Sequence, residues 1–96
     1  MKKNEPKKLG ESISKLIKAL GVEKKIKEQE LLRNWSSLMG EKISKVTEVE
    51  KVVDGILFIK VVNSIWRNEL FYMKRELLQI IEKKIGQNII NDIRFI

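Results

Sequence analysis

Few residues of this chain have the types and spacing that catalysis requires. Ser36 and Ser37 are adjacent hydroxyls, but the 96-residue sequence has no histidine and no cysteine, so the usual general base and the thiol nucleophile are both missing. Glu48 and Glu50 share one face of a predicted strand, where two exposed acids are typical of solvated residues. No glycine lies in a nucleotide-binding loop pattern, and no loop clusters oxygen ligands for a hard metal. We therefore predict that the protein is not an enzyme and holds no cofactor and no metal.

Basic side chains are the chemistry that the sequence does offer. The net charge is +7, and residues 1–45 hold 12 Lys and Arg against 6 Asp and Glu, whereas residues 46–96 hold 8 against 7. Such an excess of positive charge favours binding to polyanions, and Lys and Arg contact phosphates without reading base sequence. The alternative is a lysine-rich terminus that serves only solubility. The predicted nucleic-acid-binding residues are Lys2, Lys3, Lys7, Lys8, Lys15, Lys18, Lys24, Lys25, Lys27, Arg67 and Lys74.

Aromatic side chains are the usual platforms for stacked bases. Trp35 and Trp66 lie on apolar helical stripes, which favours a place in the core. Phe58 and Phe71 fall outside the predicted buried faces and are the better candidates for stacking. Tyr72 is expected on the surface.

The elements in the first half are predicted to be helical. Residues 1–8 read as a disordered basic arm and residues 9–96 as a single domain. Apolar residues at helical spacing predict a first helix over Leu9–Leu20 that Gly21 ends and that must dock on something. A second helix is predicted to begin near Glu23 or Lys24 and carries its own apolar stripe, Leu31, Leu32, Trp35, Leu38, Met39 and Ile43. Gly40, inside that stripe, marks a break or a close backbone approach.

The second half begins with a predicted β-hairpin. Asp54-Gly55 is a strong turn signal between strands over Val46–Val53 and Ile56–Val62, and the alternation of the second strand assigns Leu57, Ile59 and Val61 to the core.

A long third helix follows over Ile65–Ile85, capped by Ser64 and ended by Gly86. Ile89–Phe95 closes the chain as a strand. The order α-α-β-β-α-β predicts an α+β domain in which helices cover one face of a three-stranded sheet.

The motifs also carry a family resemblance. The segments that carry it are Leu32-Arg33-Asn34-Trp35, Gly40, Ile43, Thr47, the hairpin Asp54-Gly55-Ile56-Leu57-Phe58-Ile59-Lys60-Val61, the helix start Ser64-Ile65-Trp66-Arg67-Asn68-Glu69-Leu70, and Gly86, Ile89, Ile93 and Phe95. In order and spacing these resemble the DciA-like family, long catalogued as a domain of unknown function, over residues 9–96. Two features depart from the family pattern: Val46-Thr47-Glu48-Val49 replaces a frequent His-Thr-x-Pro, and the sequence stops at Ile96, whereas many members carry a long extension outside the domain.

The resemblance implies a KH-like fold and a bacterial DNA-binding protein that works with the DnaB-type replicative helicase, without catalysis. Single-stranded DNA is the expected partner. RNA is the weaker alternative because the G-x-x-G loop of KH domains is missing. A second hypothesis is an adaptor whose basic surface docks an acidic protein. The N-terminus has no signal peptide and no apolar run spans a membrane, so a cytoplasmic location is expected.

Overall fold

The chain folds into helices followed by a sheet with two further helices inserted before its last strand. The computed structural model describes residues 5–96, with side chains from residue 10 onward. The elements are α1 (Glu5–Arg33), α2 (Trp35–Met39), α3 (Glu41–Ser44), β1 (Thr47–Val53), β2 (Ile56–Val61), α4 (Ser64–Tyr72), α5 (Lys74–Lys84) and β3 (Asp92–Phe95). The predicted α+β class with a three-stranded sheet is confirmed.

Helix α1 is longer than the sequence predicted and runs without a break through Gly21. The predicted stop at Gly21 is therefore wrong: an interior glycine costs a helix only about 1 kcal/mol relative to alanine, which a helix of this length can absorb. Helix α1 begins at Glu5, so Glu5–Lys8 lie in its first turn, where a proline such as Pro6 is well tolerated. Met1–Asn4 lie outside the described residues.

The N-terminal part of α1 extends away from the rest of the molecule. The molecule measures 65 × 20 × 19 Å, and a 29-residue helix accounts for roughly 43 Å of that length. The stripe that was expected to dock, represented by Ile13, Leu16, Ile17 and Leu20, is exposed. Within the described chain, no other element covers it.

The second predicted stripe does reach the core. Gly40, at φ 86°, separates α2 from α3, as the break in the pattern indicated. The Trp35 indole N–H donates to Thr47 Oγ1 at 2.9 Å, and that hydroxyl donates to the Ile43 carbonyl at 2.7 Å. This chain of hydrogen bonds joins α2 and α3 to the first residue of β1.

The hairpin lies where the sequence placed it. Asp54 and Gly55 both have positive φ, 51° and 77°, which suits the two-residue turn between antiparallel β1 and β2. A Cβ at Gly55 would lie only 2.6 Å from Nδ2 of Asn91, so this position also requires a residue without a side chain. The register shifts between Val49 and Lys51, which indicates a β-bulge.

The predicted third helix is two helices. Met73, at φ −94° and ψ 3°, separates α4 from α5. The N-cap of α4 is Asn63 and not Ser64: the Asn63 side chain accepts a hydrogen bond from the Trp66 backbone amide at 2.8 Å.

Strand β3 pairs in parallel with β2, giving the order β1-β2-β3. It begins at Asp92, later than predicted, while Ile89 packs into the core. The buried hydrophobic residues are Leu31, Trp35, Met39, Leu57, Ile59, Val61, Leu70, Leu77, Ile81, Ile85, Ile89 and Ile93. They lie between the helices and one face of the sheet, and the other face is open.

Candidate nucleic-acid interface

The structure separates the predicted cations into two groups. Lys2 and Lys3 lie outside the described residues, and Lys7 and Lys8 lie in α1 with side chains outside the description. The α1 lysines with described side chains are Lys15, Lys18, Lys24, Lys25 and Lys27. Arg67 and Lys74 lie at the sheet end of the molecule, so the structure does not bring the two groups together.

Arg67 and Lys74 line one groove between α4 and β3, here called the α4–β3 groove. It has a volume of about 400 Å³. Its lining residues are Ser64, Arg67, Asn68, Phe71, Lys74, Ile93, Arg94 and Phe95. The first four follow the spacing i, i+3, i+4, i+7, so they form one face of α4, next to the face that buries Leu70.

Arg67 lines the groove and forms no salt bridge among the described residues. Its Nε is buried and has no hydrogen-bond partner among the described residues. A guanidinium only donates, and its fork of N–H groups matches the oxygens of a phosphate. The groove is therefore lined by a positive charge that no described carboxylate pairs with.

Lys74 lies at the far end of the same groove, between an aromatic ring and a carboxylate. Its Nζ is 5.2 Å from the ring centroid of Phe71, which is 56% exposed, and 3.0 Å from Oδ1 of Asp92. Asp92 Oδ2 is also 3.8 Å from Nε of Arg94. The hydrogen bond from Lys74 holds the pKa of the Asp92 carboxyl below its usual value, against the opposing effect of desolvation. Asp92 thus partly neutralises two cations of the groove.

A second aromatic side chain lies on the open face of the sheet. The strand register places Lys51, Phe58 and Arg94 in one row across β1, β2 and β3, here called the open-face row. Nζ of Lys51 is 5.2 Å from the Phe58 ring centroid. Because Arg94 belongs to both the row and the groove, the two sites are continuous.

The two phenylalanines that the sequence favoured for stacking therefore lie beside cations. Tyr72 is exposed, as expected, and Trp35 is buried. Trp66 is half-buried and packs against the core. Sequence reasoning missed Arg94, although its place between Ile93 and Phe95 puts it on the opposite strand face from the core residues and was the available signal.

Other kinds of site find no support in the described chain. Residues 5–96 contain no group of three acidic residues placed to hold a metal ion. Glu48 and Glu50 are both exposed, as expected of solvated acids. No helix in the described part of the chain is long and apolar enough to cross a bilayer.

Comparison with known proteins identifies similar sequences. Residues 8–95 match the family model described as "Dna[CI] antecedent, DciA". A UPF0232 protein of Corynebacterium glutamicum is 38% identical over 86 residues, which is 90% of this chain and 48% of that protein. UPF0232 proteins of Rhodococcus jostii and Mycobacterium bovis are 26% and 24% identical over 90 residues, covering 94% of this chain and 48% of each relative. The chain spans about half the length of these curated relatives.

Proposed function

The chain belongs to the DciA family, and from that premise we propose that it is a non-enzymatic module that binds single-stranded DNA. In this proposal it acts with the DnaB-type replicative helicase during DNA replication in the bacterial cytoplasm. The family name supports a role related to replication, and the α4–β3 groove supports the choice of ligand.

The observation that carries the proposal is the pairing of cations with an exposed ring in the groove. Arg67, Lys74 and Arg94 would contact phosphates while Phe71 stacks on a base. A duplex hides the faces of its bases inside the helix, whereas a single strand offers them to an aromatic side chain. The combination therefore favours a single strand over a duplex.

The α1 lysines would add contacts that do not depend on base sequence. At 3.6 residues per turn, Lys15, Lys18 and Lys25 lie on the side of α1 opposite the exposed stripe, and all three are exposed. In the proposal they lengthen the electrostatic footprint, together with any contribution from Lys2, Lys3, Lys7 and Lys8. Lys24 and Lys27 are half-buried, and Lys27 lies 3.9 Å from Glu30, so we assign them a smaller share.

A salt titration with two matched variants tests the proposal. Fluorescence anisotropy with a labelled oligonucleotide would compare the wild-type chain, a groove variant (Arg67→Gln, Lys74→Gln, Arg94→Gln) and an α1 variant (Lys15→Gln, Lys18→Gln, Lys25→Gln). Each variant removes three positive charges. On a single strand, the slope of log affinity against log salt should fall by about 0.7 for each phosphate that the variant no longer neutralises.

The position of the lost charges distinguishes the two variants. The groove variant lacks the cations that would hold a strand against Phe71, so it should also lose the preference for single strands over duplex, whereas the α1 variant should keep it. Absence of binding at low salt, or a wild-type slope near zero, would refute DNA binding by this chain. A duplex RNA and a single-stranded RNA of matched sequence, used as competitors, would separate RNA binding from DNA binding.

A protein-docking function is the second candidate, and one surface favours it. Val22 and Ile26 are exposed on α1 between the basic residues Lys18, Lys25 and Arg33. An apolar strip with a cationic border suits an acidic amphipathic partner. Co-purification with the replicative helicase that survives nuclease treatment would support it, and disappearance of the complex together with the nucleic acid would count against it.

A further inference from the structure

DNA binding leaves the exposed apolar stripe of α1 unexplained. Ile13, Leu16, Ile17 and Leu20, here called the α1 seam, are 53%, 57%, 64% and 57% exposed. All residues from 10 to 23 are exposed, so no described part of the chain covers the seam. A contiguous apolar strip on a projecting helix marks an interaction surface.

Along residues 10–22 the borders of the seam are small and uncharged, and Glu23 and Lys24 lie beside its C-terminal end. At 3.6 residues per turn, the residues beside it include Gly10, Ser12, Ser14, Ala19 and Gly21. A Cβ added at Gly10 or Gly21 would meet nothing within 4 Å, so packing inside the chain gives no reason for either glycine. Each glycine costs the helix about 1 kcal/mol relative to alanine. Small borders of this kind allow a second helix to approach closely.

We propose that a second copy of this chain covers the seam, with two α1 helices packed in antiparallel orientation. In that arrangement Ile13 of one copy lies opposite Leu20 of the other, and Leu16 lies opposite Ile17. The midpoint of the seam, between Leu16 and Ile17, is also the midpoint of the exposed stretch 10–23. Two such stretches therefore overlap along their full length, and each ends before the partner's folded domain begins.

Charge favours a second copy over a charged peptide in the seam. Lys15 and Lys18 lie on the opposite side of the helix, so the seam has no cationic border along most of its length to select an acidic partner. In the proposed register Glu23 of one helix lies opposite Gly10 of the other, so the two identical stretches meet without like charges facing each other. Antiparallel pairing also places the two domains at opposite ends of the helix pair, which limits repulsion between chains that each carry a net charge of +7.

The oligomeric state of two matched variants tests the seam. Leu16→Glu with Leu20→Glu places two charges in the seam, and Val22→Glu with Ile26→Glu places two on the opposite side at similar exposure, 58% each. Sedimentation equilibrium should show a dimer for the wild type and the control, and at least a hundredfold weaker association for the seam variant. Far-UV circular dichroism of both variants checks that the domains remain folded.

A spin-label distance tests the orientation. The chain has no cysteine, so Glu28→Cys provides a single labelling site. With the seam paired as proposed, residue 28 of one copy lies near residue 5 of the other, so the two labels are separated by roughly 35 Å along the axis. Parallel pairing would bring them side by side and would overturn the arrangement. A wild-type chain that stays monomeric up to about 0.1 mM would overturn the dimer itself, whether or not the chain binds DNA.

Discussion

Nζ of Lys74 lies 3.0 Å from Oδ1 of Asp92, so a cation at the start of α5 is paired with the first residue of β3. The same carboxylate is 3.8 Å from Nε of Arg94. The pairing ties β3 to α5 and, under the proposed function, would compete with a bound phosphate for both cations; the two effects can be measured separately.

Replacing Asp92 by Asn should strengthen binding to single-stranded DNA by roughly fivefold at moderate salt, because Lys74 and Arg94 lose their internal counter-charge and can neutralise about one more phosphate. Anisotropy titrations at several salt concentrations would measure the change. Glu82→Gln is the matched control, since it removes one negative charge from an exposed position of α5 outside the groove lining. Equal increases in affinity for the two variants would show that only net charge matters.

The stability of the domain should depend on pH through Asp92. Its folded pKa is lowered, chiefly by the hydrogen bond from Lys74, so the stabilisation is complete above the unfolded pKa of about 3.9 and is lost as pH falls through the folded pKa. Chemical denaturation of the wild type and Asp92→Asn should show a difference at neutral pH that shrinks in acid. A difference that is constant from neutral pH to below about pH 3 would contradict this linkage.

Replacing Phe71 by Leu should weaken binding of single-stranded DNA by at least about fivefold, because base stacking on an aromatic ring is worth roughly 1–3 kcal/mol. Tyr72→Leu is the control: Tyr72 is 77% exposed and does not line the groove. The same titration reads out both variants. If Tyr72→Leu causes the larger decrease in affinity, the strand does not follow the groove.

Replacing Thr47 by Val should lower the free energy of unfolding by about 1–3 kcal/mol. The change leaves the Trp35 indole N–H and the Ile43 carbonyl without their shared partner, while the shape of the side chain is kept. Urea denaturation followed by tryptophan fluorescence would measure it. Thr47→Ser keeps the hydroxyl and should recover most of the stability, and failure to do so would assign the destabilisation to the methyl group.

The sequence predicted correctly those elements whose form is set by a few neighbouring residues. Asp54-Gly55 fixed the hairpin because a two-residue turn needs positive φ at both positions. The predicted helix end at Gly21 was wrong because a glycine ends a helix only when the chain turns there. Nothing in the sequence distinguishes a glycine at such a turn from a glycine inside a helix. The break at Met73 carries no proline or glycine, so periodicity gave one helix where the structure has two.

The candidate site was only partly predictable for a different reason. Arg67, Phe71 and Lys74 lie within three turns of one another along the chain, so their spacing placed them together. Arg94 joins them only because β3 pairs in parallel with β2, which brings together segments far apart in sequence. Sequence also grouped the N-terminal lysines with Arg67, and the length of α1 separates them.

Amide hydrogen exchange should be much faster in the projecting part of α1 than in the folded domain. A helix with no tertiary support opens by fraying, so in a monomer the amides from residue 10 to about residue 22 should exchange within seconds. Those around Leu31, whose side chain is fully buried, should open only with the whole domain. Protection that rises along the first part of the helix with protein concentration would therefore report, residue by residue, where a second molecule sits.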